Sequence, residues 1–217
     1  MRKTYLYAGL GLLGGALLWT LLVALVDVKP IGPLGSAVGF AGLNGAVRDL
    51  VGVRMTLYTL TDWLGLVPIA VVFGFGVLGL FQWIRRKRLL AVDRSILALG
   101  IFYLAVAAVF VLFEVVALNY RPVLIEGRLE ASYPSSTTML AACVMPTALM
   151  QWHSRISHTV LRRCVLAAGA ALTAFLVVGR VLSGVHWITD VIGGGLISAG
   201  LVLLYAYFSC KNPQNVV

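Results

Sequence analysis

Residues 132–139 read SYPSSTTM and separate two apolar runs of a 217-residue chain. Pro134 suits the first position of a helix, where its missing N–H costs nothing. Ser135, Ser136, Thr137 and Thr138 then place hydroxyls and free backbone N–H groups at the mouth of a hydrophobic segment, and a helix N-terminus with such donors binds anions. What those donors face depends on how the flanking runs cross a membrane.

The composition makes a membrane the expected surroundings. The chain is 60% hydrophobic and 12% charged, with mean hydropathy +0.96, which is far from soluble usage. A span takes about 20 apolar residues. Six runs qualify: 5–26, 64–83, 95–118, 138–152, 164–182 and 187–208, the fourth being the shortest. The fold class expected is all-α, a six-transmembrane-helix bundle forming one integral-membrane domain over 1–217. The first run has no A-x-A cleavage pattern and reads as a retained anchor. Residues 27–62 mix apolar residues with Arg48, Asp49, Arg54 and Asp62. They read as interfacial amphipathic helices between the first and second spans, either shaping a lipid entrance or merely connecting.

Charge sets the orientation. With the N-terminus inside, the inner loops hold Arg2, Lys3, the run RRKR at 85–88, Arg94, Arg155, Arg162, Arg163 and Lys211, eleven of the seventeen basic residues, against Asp93 alone among acids. Basic residues collect on the cytoplasmic side of short loops. The termini are therefore expected in the cytoplasm, in a plasma or bacterial inner membrane. The net charge of +9 reads as topology and anionic-lipid contact, so no nucleic-acid partner is expected. Cys143, Cys164 and Cys210 show no ligand spacing and read as small apolar residues. The glycines of GLGLLGG (9–15) and GGGLISAG (193–200) suit close helix packing in lipid.

In this topology the ends of spans three to six bring Arg121, the hydroxyls at 135–138, Arg180, His186 and Asp190 to the outer face. Ionisable groups inside a bundle are costly and mark function unless they form a structural ion-pair cluster. Arginine forks match phosphate oxygens. His186 and Asp190 are four apart and share a helix face, and a carboxylate behind an imidazole sets its tautomer. The set reads as an apparatus for attacking a phosphate, with His186 as nucleophile.

These residues resemble the type 2 phosphatidic acid phosphatase family, kin to the vanadium haloperoxidases, with motifs K-x6-R-P, P-S-G-H and S-R-x5-H-x3-D. "RP" at 121–122, "PSS" at 134–136 and "RVLSGVHWITD" at 180–190 carry the resemblance. It implies that Arg121, Arg180, Ser135 and Ser136 hold phosphate, that His186 forms a phosphohistidine with Asp190 orienting it, and that no metal or cofactor takes part. The implied substrate is a lipid phosphomonoester or pyrophosphate taken from the bilayer at the outer face.

Three positions depart from the motifs. Glu114 replaces the lysine and, with Tyr120, is a candidate substrate contact. Gly179 replaces a serine. Thr137 stands where the general-acid histidine belongs, and a threonine hydroxyl is too weak an acid to serve. A site that binds phosphate but turns over poorly is implied, whether engineered or natural. A non-catalytic lipid-phosphate binder and a lipid phosphotransferase are the alternatives. A transporter is disfavoured, because no carboxylate relay crosses the midplane.

Overall fold

The computed structural model describes residues 2–209; Cys210 and Lys211 lie outside them. Among the described residues the chain forms eight α-helices: α1 (Arg2–Leu25), α2 (Ala41–Val51), α3 (Met55–Leu64), α4 (Leu66–Arg86), α5 (Arg94–Val115), α6 (Ser136–Arg155), α7 (Thr159–Leu182) and α8 (Ile188–Ser209). No strand is present among them, only isolated bridges such as Tyr120–Ala131 in the segment joining α5 to α6.

Five helical runs are long and apolar enough to cross a membrane: α1, α3 with α4 (Met55–Arg86), α5, α7 and α8. The expected fourth span of six falls within α6, which is not among the five. Its burial explains why. Ten of its 20 residues are buried, including Thr137, Thr138, Thr147 and Gln151. It packs against α4, α5, α7 and α8, so its neighbours face lipid and α6 need not be apolar. The Thr147 hydroxyl returns to the Cys143 carbonyl at 2.9 Å, and Gln151 donates to the Tyr205 hydroxyl of α8. Exposed Leu17, Phe73, Ile84 and Leu104 form part of the outer apolar surface.

Small residues let α1 lie closely against α8. A Cβ on Gly200 would stand 2.8 Å from Leu13 Cγ, and one on Gly9 would stand 3.1 Å from the Gly200 carbonyl oxygen. One end of the bundle is tied by Asp93, which pairs with Arg86 at 2.9 Å and Arg155 at 3.2 Å and so links α4, α5 and α6. His153 and His158 lie at that end, in the last turn of α6 and at the start of α7.

The other end holds the candidate residues, and two glycines decide how α3 joins it. Gly184, in the α7–α8 turn, has φ +65°, and a Cβ there would stand 1.9 Å from the Gly52 carbonyl oxygen. The Arg54 N–H donates to the Ser183 carbonyl at 2.9 Å. Gly179 lets α7 pass α3, since a Cβ there would stand 2.6 Å from Thr61 Cγ2. Thr61 cannot simply rotate away, because its hydroxyl is bonded to the Leu57 and Tyr58 carbonyls of its own helix at 2.9 Å each.

Gly184→Ala should therefore destabilise the protein by more than about 1 kcal/mol, through positive φ and the lost approach of the 52–54 backbone. Thermal unfolding in detergent checks this, and an unchanged midpoint would contradict it.

Candidate functional site

The start of α6 sits two residues beyond the expected position, with Ser136 and not Pro134 as its first helical residue. Ser135 is the residue before the first helical turn and Pro134 lies outside the helix, joined to Tyr133 by a cis peptide bond. The first intrahelical bond runs from the Met139 N–H to the Ser135 carbonyl at 2.9 Å. The N–H groups of Ser136, Thr137 and Thr138 thus precede the helical ladder. The Ser135 N–H donates to the Asp190 carbonyl at 3.1 Å, which fixes the start of α6 against α8.

Arg121 and Arg180 are brought together by a residue the sequence did not single out. Tyr58 of α3 presents its ring to both guanidiniums, with Arg180 Cζ 4.8 Å and Arg121 Cζ 5.6 Å from its centroid. Arg180 Nη2 donates to Asp62 Oδ1 at 2.8 Å and to the Thr137 hydroxyl. Arg121 Nε lies 3.1 Å from Glu130 Oε2 as an ion pair without hydrogen-bond alignment. The Nη1 atoms of both arginines, Arg180 Nε, Ser135 Oγ and His186 Nε2 are buried and have no protein partner. Buried donors left without partners are costly, so this grouping suits an anion that accepts from several at once.

The pairing of His186 with Asp190 is indirect, contrary to the sequence expectation. His186 Nδ1 is 4.0 Å from Asp190 Oδ2, too far for a hydrogen bond. Ser132 bridges them: its hydroxyl donates to Asp190 Oδ2, and its oxygen lies 3.1 Å from Nδ1. A serine hydroxyl has one hydrogen, here spent on the carboxylate, so towards the imidazole it can only accept. Nδ1 therefore carries the ring hydrogen and Nε2 keeps its lone pair. Asp190, fully buried, also accepts from the Trp187 N–H at 3.0 Å and Asn119 Nδ2 at 3.2 Å. Asn119 Oδ1 in turn accepts from the Gly39 N–H at 3.1 Å. Burial, then the charges of Arg121 and Arg180, hold the His186 imidazole well below its ordinary range. That shift favours the neutral ring, whose Nε2 is left with a free lone pair.

The remaining candidates divide. Ser136 and Thr137 line a largely apolar groove of about 510 Å³ with Asp62, Tyr103, Phe110 and Val144. Along α6 from Ser136 to Val144 it extends about 12 Å at 1.5 Å per residue. Glu114 is exposed and lines a small adjoining cleft, which shares Phe110, Ser136 and Met139 with the groove. Among the described residues no arginine pairs with it. Tyr120 contributes its carbonyl, which accepts from Trp187 Nε1 at 2.7 Å; the ring beneath the arginines is that of Tyr58. Asp62, Tyr58 and Ser132 are the residues the sequence left without a role. Asp62 and Tyr58 had one available signal, the spacing of four that places both on one face of α3.

Residues 117–214 match the family model described as the PAP2 superfamily. The fold is similar to the crystal structure of a transmembrane PAP2-type phosphatidylglycerolphosphate phosphatase from Bacillus subtilis. The TM-score is 0.63 at 18% identity, covering 92% of this chain and 94% of that one. No curated protein sequence matches the chain.

The depressed imidazole should remain neutral as pH falls through 6.5 and gain its proton only well below that value. A nitrogen-resolved NMR titration that finds His186 half-protonated at pH 6.5 or above would contradict the site. In Ser132→Ala the same spectra should show Nδ1–H and Nε2–H tautomers mixed, because the bridge that selects one is gone.

Proposed function

We propose, on the match of residues 117–214 to the PAP2 superfamily model, that this chain is a type 2 phosphatidic acid phosphatase that takes a lipid phosphate from the bilayer and attacks it with His186. The family and the several apolar helices make it a multi-pass membrane protein with lipid phosphatase ancestry. The observation that carries the finer reading is the coincidence of unpartnered donors on Arg121, Arg180 and Ser135 with a buried, unpartnered His186 Nε2. The guanidiniums and the Ser135 hydroxyl hold the phosphate oxygens, with the first N–H groups of α6 beside them. Nε2 attacks phosphorus and the positive charge that develops on the ring is shared through Ser132 with Asp190. The resulting species is a phosphohistidine, which water hydrolyses.

The apolar groove beginning at Ser136 and Thr137 suits the substrate's hydrocarbon, because its volume falls in the range of ligand sites and its lining is largely apolar. The charge asymmetry of the loops supports a site at the outer face of a bacterial cell membrane, with the termini on the cytoplasmic side. Thr137 favours slow turnover: its hydroxyl accepts from Arg180 and is no acid for an alkoxide. A lipid-phosphate binder without turnover is the second reading, resting on the same residue.

Phosphate release from phosphatidic acid and phosphatidylglycerol phosphate in mixed micelles tests the proposal. The unmodified chain should release phosphate slowly, His186→Ala should abolish release, and Thr137→His should raise it. Phosphate or vanadate binding with no release in any form, Thr137→His included, would leave the binder. Arg180→Lys should lose at least tenfold in kcat/KM, because a lysine cannot reproduce the planar fork.

A further inference from the structure

An alkyl phosphate does not leave as a bare alkoxide at useful rates; a proton must reach the bridging oxygen as the P–O bond breaks. Thr137 cannot deliver it. We infer that Asp62, on α3 and outside the matched segment 117–214, is the proton donor to the leaving group. This inference rests on the phosphatase reading above and adds a catalytic residue to it.

Position is the first argument. Asp62 Oδ1 and Thr137 Oγ1 accept from one and the same nitrogen, Arg180 Nη2. The carboxyl therefore stands beside the hydroxyl that fails as an acid. Asp62 lines the mouth of the apolar groove with Ser136 and Thr137. A lipid whose hydrocarbon lies in that groove and whose phosphate lies on the arginines has its ester oxygen at this mouth. The side chain of Asp62 is 61% exposed against 1% for Arg180, so it is free to turn from the guanidinium to a substrate.

Elimination is the second. Glu130 pairs with Arg121. Glu114 lines the adjoining cleft. Asp190 is sealed behind Ser132. Tyr58 offers its ring face to the two arginines, and His153 and His158 are at the far end of the bundle. The third argument is how α3 arrives. Gly179 on α7 admits Thr61, and Gly184 admits the 52–53 backbone. Both close approaches seat the helix that carries Asp62.

The chemistry balances. A phosphate monoester that enters as its monoanion takes Arg180 Nη2, and its remaining proton passes to the displaced Asp62 carboxylate beside it. The Nε2 lone pair forms the N–P bond and the P–O bond to the lipid breaks. The oxygen keeps that electron pair and takes the proton of the Asp62 carboxyl, giving a lipid alcohol, a carboxylate and a phosphohistidine. The carboxylate then accepts a proton from water as the water oxygen bonds to phosphorus and the N–P bond breaks. Inorganic phosphate departs as its monoanion with that proton, and neutral His186 and the Asp62–Arg180 pair are restored.

The test compares two leaving groups in the full chain in mixed micelles. Phosphatidic acid leaves as an alkoxide and needs the proton; p-nitrophenyl phosphate leaves as a stable phenolate and needs it little. Asp62→Asn keeps an oxygen for Arg180, so the pairing that supports the fold is preserved. In Asp62→Asn, kcat for phosphatidic acid should fall about 10²-fold or more, and the fall for p-nitrophenyl phosphate should be far smaller. Adding Thr137→His should recover more activity in the Asp62→Asn background than in the unmodified chain. Equal losses on the two esters would make Asp62 a partner of Arg180 only and overturn the inference while leaving the phosphatase reading intact. Release from the aryl ester alone by the unmodified chain would also overturn it, since no group then serves the alkoxide. No release from either ester would overturn the phosphatase reading and the inference together.

Discussion

Arg180 carries a permanent positive charge with 1% of its side chain exposed, and the architecture around it answers that constraint. An isolated charge in an apolar bundle costs several kcal/mol even after relaxation. Three neighbours offset the cost: the Asp62 carboxylate, the Thr137 hydroxyl and the face of Tyr58. Two of them come from α3, so the helix that precedes the matched segment is required by a charge within it. Arg121 brings a second cation over the same ring, and the two guanidiniums together leave donors that only a multivalent acceptor satisfies.

Asp190 is the corresponding anchor for the imidazole. Its side-chain oxygens collect Ser132, Trp187 and Asn119, and its carbonyl takes the Ser135 N–H. One residue therefore orients His186 and holds the start of α6 at the same time. Through Asn119 and Gly39 the network reaches the segment between α1 and α2, and Asn44 on α2 donates to Thr189 at 2.9 Å. Apart from Ser135 Oγ and His186 Nε2, the polar side-chain atoms named in this chain of bonds have partners inside the protein, as buried networks require. A change that empties one position leaves its neighbours unpaired, which is why the site and the fold at this end are hard to separate.

The spans, the clustering of Arg121, Arg180, His186 and Asp190 at one end, and the helix start near Ser135 were legible in the sequence. Each rests on local signals: apolar run length, proline and hydroxyl punctuation, and spacing of four along a helix. α6 was legible as a helix, and it is not among the five runs that qualify as spans by length and apolar composition. Its composition reports on the neighbours that cover it, and those come from four separate parts of the chain. The indirect histidine–carboxylate pair was likewise invisible, because spacing of four along a helix brings side chains near without deciding whether they touch. His186 lies in the turn before α8, and its ring is 4.0 Å from the carboxylate.

By itself, then, the sequence determined that this is an apolar helical chain that gathers two arginines, a histidine, an aspartate and a hydroxyl-rich helix start, with Thr137 among them. Residue types and short-range periodicity carry that information directly. Tertiary structure alone decided that α3 walls the site, that Tyr58 faces both Arg180 and Arg121 while Asp62 pairs with Arg180, and that Ser132 stands between His186 and Asp190. Asp62 and Arg180 are 118 residues apart, and Ser132 and His186 are 54 apart. The first meeting depends on how closely α3 and the turn before it pass Gly179 and Gly184, a matter of side-chain volume across the bundle that no local pattern encodes.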